Sequence, residues 1–197
     1  MMKRCLDVSV GVLVLLVLSP LLIALAAAVW LDSGRPIFFT QQRVGLNFRP
    51  FRILKFRSML QTVGPSVTVA GDRRVTRVGT FLRATKLDEL PQFWNVLRGD
   101  MSLVGPRPEV PEFVELFKER YGLVLTVRPG ITDLASIRFR NEEDILSRSA
   151  EPMKEYTEHI LPEKLNLADQ YVSTCSICGD IAILLRTAAA TVRGYRR

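Results

Sequence analysis

Histidine is nearly absent: His159 is the only one in 197 residues. Triad catalysis and histidine-built metal sites therefore lack their main ingredient. Cysteine is scarce too, with three residues, an odd number that builds no disulfide framework. Cys175 and Cys178 form a C-x-x-C pair, but no second pair or neighbouring histidine completes a zinc site. The pair reads as structural, and the cysteine usage fits a reducing, cytoplasmic setting. Acidic residues are the minority charge, 20 against 27 basic, for a net charge of +7. That excess suits an anionic partner: nucleic acid, an anionic membrane surface or a phosphorylated substrate. No RNA-binding aromatic signature or helix-turn-helix pattern is present, so no nucleic-acid partner is expected. Repeats, low-complexity tracts and a linker are also missing, which leaves one functional unit of ordinary size.

Long apolar runs are missing everywhere but at the start. Val8 to Leu31 is apolar apart from Ser9, Gly11, Ser19, Pro20 and the amphipathic Trp30. As one straight helix its 24 residues would reach about 36 Å, against a hydrocarbon core of about 30 Å. Three arrangements compete. One is a signal peptide, with Lys3-Arg4 ahead of it and Ala26-Ala27-Ala28 as the cleavage site. Another is a spanning helix. The third is a helix that breaks at Ser19-Pro20, then enters and leaves on one side. Pro20 lies mid-segment, and Lys3, Arg4, Arg35 and Arg43 flank both ends, which asks for both ends on the cytoplasmic face.

Pro36 to Met59 reads as a β-hairpin turning at Gly45-Leu46-Asn47 and studded with Arg43, Arg49, Arg52, Lys55 and Arg57. Those cations are either a solvated face or phosphate contacts beside a membrane. Gln61 to Thr76 is polar and holds Gly64-Pro65 and Gly71-Asp72, so it reads as a loop. Helices are expected over Val78 to Arg83, Glu109 to Tyr121, Glu142 to Ser147, Met153 to Val172 with an interruption at Pro162, and Ile177 to Val192. A short strand is expected at Ala135 to Phe139. The last helix carries a stripe of Ile181, Leu184, Leu185 and Ala188, which suits either core packing or a membrane surface.

Lys86 to Glu109, KLDELPQFWNVLRGDMSLVGPRPE, is the densest stretch. Leu87, Leu90, Trp94 and Leu97 recur at helical spacing, and Gly99 supplies a stop. Thr85 is placed to cap the helix in a Thr-x-x-Asp box, which sets Asp88 and Glu89 in its first turn. Pro91 should kink or thin the helix. Gly105-Pro106-Arg107-Pro108 then fixes one arginine between two prolines, and Arg128-Pro129-Gly130 fixes another.

This string closely resembles the signature of the bacterial sugar transferases, the small monotopic phosphoglycosyl transferases. Lys55-Phe56-Arg57-Ser58-Met59, Arg77-x-Gly79-x-x-x-Arg83 and Arg128-Pro129-Gly130-Ile131-Thr132 repeat the family's pattern in order, and the resemblance runs to about Thr187. It implies an α+β, mostly α fold: a re-entrant membrane helix (1–34) broken at Ser19-Pro20, then a catalytic domain (35–197) with a small β-hairpin and amphipathic interfacial helices. It also implies residence on the cytoplasmic face of the inner membrane. The implied substrates are a UDP-sugar and undecaprenyl phosphate, and the implied chemistry is transfer in two steps. Asp88 would be the nucleophile, Glu89 its partner, and Mg²⁺ or Mn²⁺ would bridge the acidic pair and the diphosphate.

Guanidinium forks bind phosphates bidentately, so Arg107 and Arg128 are the leading phosphate ligands, followed by Arg83 and Arg57. Either leading arginine could instead serve a helix C-terminus. Asp180 lies where the family carries a late aspartate, though a helix N-cap suits it equally. After Thr132 the chain departs from the family's commoner form: Asp133 replaces Gly, and the Ala-Gln that usually follows is absent. That leaves the sugar unassigned. The sequence does not fix the oligomeric state, and a homodimer is compatible with it. The rival readings are a membrane-anchored basic interaction module and an inactive scaffold.

Overall fold

The computed structural model describes residues 2–60 and 67–194, without the side chains of 191–194. The chain begins with two helices, α1 (Met2–Val17) and α2 (Ser19–Ser33), bent by 64° at the break. The bend has a local cause. Pro20 has no N–H to give the carbonyl of Leu16, and the Ser19 hydroxyl donates to that oxygen instead at 2.8 Å. Among the described residues no single helix is long and apolar enough to cross a membrane, but this bent pair qualifies together. Leu13, Leu16, Val17, Ile23 and Leu31 stand exposed on it.

The hairpin forms as expected, β1 (Phe38–Val44) antiparallel to β2 (Pro50–Phe56). Residues 61–66 of the expected loop lie outside the described residues. Beyond them come α3 (Arg77–Thr85), a 3₁₀ turn (Leu87–Glu89) and α4 (Gln92–Arg98). Next are β3 (Ser102–Val104), α5 (Pro111–Leu116), α6 (Lys118–Val124) and β4 (Gly130–Thr132). α7 (Leu134–Arg138), α8 (Glu142–Ser147), α9 (Pro152–Glu155), α10 (Leu161–Thr174) and α11 (Ile177–Gly194) complete a mostly helical α+β fold.

Several expectations need correction. The helix expected over Glu109–Tyr121 is two helices parted at Phe117. Ala135 belongs to α7 rather than a strand, because the Asp133 side chain accepts from Ser136 N and caps a helix there. The strand lies earlier, where β4 pairs in parallel with β3. The interruption near Pro162 is a π-helical turn, Tyr156–Ile160, in a helical run continuous from α9 into α10, and Pro162 is the second residue of α10. Cys5, Cys175 and Cys178 are all free and exposed, so the C-x-x-C pair is not part of a core. Of the expected stripe on α11 only Leu184 packs inward; Ile181 and Leu185 are exposed, and Ile183 takes the buried position.

Three apolar clusters hold the elements. Leu25 and Val29 of α2 pack with Phe56 and Leu82. Ile53, Val96, Met101, Leu103 and Val104 pack with Tyr171 and Ile183. The largest cluster gathers α5, α6, α8 and α10 around Phe113, Tyr121, Leu146 and Leu161. The start of α1 belongs to this body. Arg4 donates to the carbonyls of Val96 and Leu97, and Asp7 is buried, accepting from Ser102 Oγ and Leu103 N. Lys3 donates to Val104 O at 2.9 Å and pairs with Asp180. Cations that look like lipid anchors in the sequence are therefore bound by protein.

Candidate active site

Asp88 and Glu89 owe their placement to a sharp change of helix. The Thr85 hydroxyl returns to Phe81 O at 2.8 Å, so it closes α3 and does not cap the turn after it. Lys86 then adopts φ 59°, a left-handed conformation that is unfavourable for a side chain. The chain makes one 3₁₀ turn, and Pro91 precedes α4, whose end is fixed by Gly99 at φ 90°. In a 3₁₀ turn successive side chains point about 120° apart. The two carboxylates accordingly serve different cavities, Asp88 lining one of about 460 Å³ and Glu89 one of about 260 Å³.

Their environments differ as well. Glu89 Oε1 accepts from Lys55 Nζ at 2.9 Å and from Arg107 Nη2 at 2.5 Å, while Oε2 lies 3.4 Å from Arg107 Nη1. Burial alone would raise its pKa; Arg107 and Lys55 outweigh burial and hold Glu89 well below the usual carboxylate range. Asp88 is 6% exposed, and burial pushes its pKa up despite the opposing pull of Lys55. Its Oδ1 is buried without a hydrogen-bond partner among the described residues. An orphaned carboxylate oxygen is costly, by about 1–3 kcal/mol or more for a charged group, and its persistence points to an incoming ligand.

The Asp88 cavity is basic. Its described lining holds seven cationic side chains, Arg43, Lys55, Arg57, Arg74, Arg83, Arg107 and Lys164, against the carboxylates Asp88, Glu109, Glu142 and Glu143. Glu89 and Asp72, just outside the lining, pair with Lys55, Arg107 and Arg74, so the site is a dense array of ion pairs whose guanidinium and ammonium groups border the cavity. Arg83 reaches it while paired with Glu143 at 2.5 Å. Arg57 borders it, but its Nη2 is given to the carbonyls of Ser33 and Gly34 at the end of α2, at 2.6 and 2.7 Å. Arg128 is elsewhere: its Nε donates to Gly99 O at 3.0 Å, at the C-terminus of α4. Asp180 is also elsewhere, buried against Lys3 and accepting from the Tyr171 hydroxyl at 2.8 Å. It is not an N-cap either, since Ser176 Oγ takes Gly179 N.

Lys164, Glu109, Glu142 and Tyr156 have no place in the sequence pattern of the site, and Lys55 enters it as one of five hairpin cations that suit phosphate contacts. Tyr156 donates to Glu109 at 2.8 Å, Arg43 contacts Glu109 at 3.3 Å, and Lys164 pairs with Glu142 at 2.5 Å. These links join residues dozens of positions apart, so no local pattern announces them. Lys55 alone carried a signal, as the first residue of the Lys-Phe-Arg-Ser-Met string. No cluster of three or more His, Cys, Asp or Glu residues suited to a metal occurs among the described residues. The donor that fits a hard divalent cation is the Asp88 carboxylate, because Glu89 is already held by Lys55 and Arg107.

Known proteins match this sequence along nearly the whole chain. The Caulobacter vibrioides UDP-glucose:undecaprenyl-phosphate glucose-1-phosphate transferase is 42% identical over 191 residues, covering 94% of this chain and 67% of that protein. An Aeromonas hydrophila UDP-N-acetylgalactosamine-undecaprenyl-phosphate N-acetylgalactosaminephosphotransferase is 38% identical, covering 98% of this chain and 44% of that protein. The exopolysaccharide production protein ExoY of Sinorhizobium fredii is 34% identical, covering 95% of this chain and 84% of that protein. The chain thus spans two-thirds or less of the first two relatives and most of the third. The profile described as bacterial sugar transferase matches residues 1–194, and this chain belongs to that family.

Proposed function

We propose that this protein moves a sugar 1-phosphate from a UDP-sugar to undecaprenyl phosphate and so starts assembly of a bacterial polysaccharide. The observation that carries the reading is the free Oδ1 of Asp88, buried in a cationic cavity beside a Glu89 already saturated by Lys55 and Arg107. The Asp88 carboxylate attacks the β-phosphorus of the donor. The bond from that phosphorus to the bridging oxygen breaks, and UMP leaves with its electron pair. The sugar phosphate is then an acyl phosphate on Asp88. An oxygen of undecaprenyl phosphate attacks the same phosphorus and releases the carboxylate. Arg107, fixed by Glu89, and Arg83 neutralise the developing charge, with Lys55 and Lys164 adding to the field. Asp88 would hold Mg²⁺ or Mn²⁺, which when bound supplies charge neutralisation at the diphosphate.

Residues 1–34 serve as a re-entrant membrane segment on the cytoplasmic face, and residues 35–197 form the catalytic domain. Both ends of the bent pair pack on the same body, Lys3 and Arg4 against residues 96–104 and Ser33 against Arg57, which supports entry and exit on one side. Exposed Ile181 and Leu185 suit α11 to the interface.

UMP release from a panel of UDP-sugars with undecaprenyl phosphate tests the activity. Without acceptor, the protein should gain a sugar-phosphate mass on Asp88, and Asp88→Asn should lose turnover and adduct together. Substantial turnover by Asp88→Asn would remove the nucleophile assignment. Excess EDTA should abolish turnover, and added Mg²⁺ should restore it; full activity in EDTA would remove the metal.

A further inference from the structure

The smaller cavity, on the Glu89 side, has no role in the chemistry above. Phe93 and Phe139 line it with ring surface, and Glu142, Lys164 and Arg107 line both it and the Asp88 cavity. Ser136 on α7 lines it as well, and its hydroxyl is buried without a hydrogen-bond partner among the described residues. A hydroxyl is normally satisfied on folding, so an orphan on a cavity-lining residue is a candidate partner for a ligand's polar group. α7 is held in position through Asp133, whose carboxylate accepts from Ser136 N at 2.6 Å and from Arg107 N at 3.0 Å. The backbone of Ser136 is thus tied through one side chain to the backbone of Arg107.

We infer that this cavity is the hexose compartment of the donor site and that the Ser136 hydroxyl reads one sugar hydroxyl; the inference rests on the UDP-sugar reading above. Size excludes the whole donor: about 260 Å³ falls below the roughly 300–1,000 Å³ of pockets that enclose a complete ligand. Geometry then chooses the part. In-line displacement sets the nucleophile and the departing UMP on opposite sides of the β-phosphorus, so the sugar hangs to the side of the attack line. The cavity adjoins the Asp88 cavity on that side: Glu89, next to Asp88 on the turn, lines it, and Arg107, Glu142 and Lys164 line both. The lining suits a sugar: rings for its C–H faces and a few convergent polar groups for its hydroxyls.

The test is steady-state kinetics of the full-length protein with undecaprenyl phosphate and UDP-glucose, UDP-galactose, UDP-N-acetylglucosamine and UDP-N-acetylgalactosamine. Monodeoxy analogues of the best donor complete the panel. Ser136→Ala should lower kcat/KM for the best donor by about 5- to 100-fold, the effect of one lost buried hydrogen bond. Inhibition by UMP should stay unchanged, and one deoxy analogue should be used equally by parent and variant. Unchanged kcat/KM across the panel would overturn the assignment, as would a uniform loss accompanied by weaker UMP inhibition. If Ser136→Ala does not fold, Ser136→Cys, which exchanges the hydroxyl for a much weaker donor, goes through the same comparisons, and unchanged kcat/KM there overturns the assignment. Failure of the parent to use any UDP-sugar would instead sink the transferase reading, and this inference with it.

Discussion

Two turns in this molecule have nearly the same local design and different fates. Gly105-Pro106-Arg107-Pro108 and Arg128-Pro129-Gly130 each fix an arginine beside proline, and they touch each other. Gly130 N donates to Pro106 O at 3.0 Å, Gly105 N to Thr132 O at 3.1 Å, and Ser102 N to Pro129 O at 2.8 Å. Yet Arg107 meets a buried carboxylate at the cavity, while Arg128 meets a helix C-terminus at the surface. Proline rigidity fixes where an arginine starts. The partner supplied by distant chain decides what it does.

Replacing the glycine that joins the two turns should have the largest effect. A Cβ on Gly130 would lie 2.1 Å from Gly105 N and 2.5 Å from Gly105 O, a collision with backbone that cannot rotate away. Gly130→Ala should cost about 3 kcal/mol or more and abolish turnover by displacing Arg107. Thermal unfolding in detergent measures the first effect and UMP release the second. A parent-like Tm would mean that the turns separate freely and are not one unit.

Arg107→Ala should come next. Removing one charged donor to a transition state typically costs about 10²–10³ in rate, and Glu89 would lose its shorter partner. Arg107→Lys should fall between, because an ammonium lacks the fork that spans both Glu89 oxygens. Activity of Arg107→Ala within tenfold of the parent would erase the difference between the turns. Asp133→Asn should weaken the Arg107 turn by about 1–3 kcal/mol, since an amide cannot accept twice at the places where the carboxylate takes Arg107 N and Ser136 N. Its signature is a fall in kcat/KM larger than the loss of Tm implies. Equal, proportionate losses would make Asp133 a purely structural residue.

Local rules made part of this legible. The hairpin, the stop at Gly99 and the break at Ser19-Pro20 each arise from residues a few positions apart, and the structure keeps all three. The β3–β4 pair does not arise from such rules. Its strands are three residues long, too short to show alternation, and they meet because Gly105 and Gly130 let two backbones touch. The acidic pair was legible as residues but not as geometry. A capping box on Thr85 presumes that a helix begins there, whereas α3 ends there. Lys3 and Arg4 misled for a similar reason: cations beside an apolar run look like lipid anchors until the carbonyls of Val96, Leu97 and Val104 claim them.

Arg128 gives the smallest expected effect and the sharpest test of the comparison. By its sequence it equals Arg107: a guanidinium next to proline, in a string shared with the family. By its contacts it is one exposed hydrogen bond to Gly99 O, at the negative end of the seven-residue α4. Such a cation contributes about 0.3–1 kcal/mol. Arg128→Ala should therefore lower Tm slightly and leave kcat/KM within about threefold of the parent, the equivalent of about 0.7 kcal/mol. Arg128→Lys should restore the lost stability, because a helix end needs charge more than a fork. The discriminating measurement is kcat/KM at saturating undecaprenyl phosphate for both variants beside Arg107→Ala. A hundredfold loss in Arg128→Ala with an unaltered Tm would mean that Arg128 leaves α4 and grips a phosphate during turnover. The two turns would then be a pair of phosphate clamps, and the contact with Gly99 would be only its resting position.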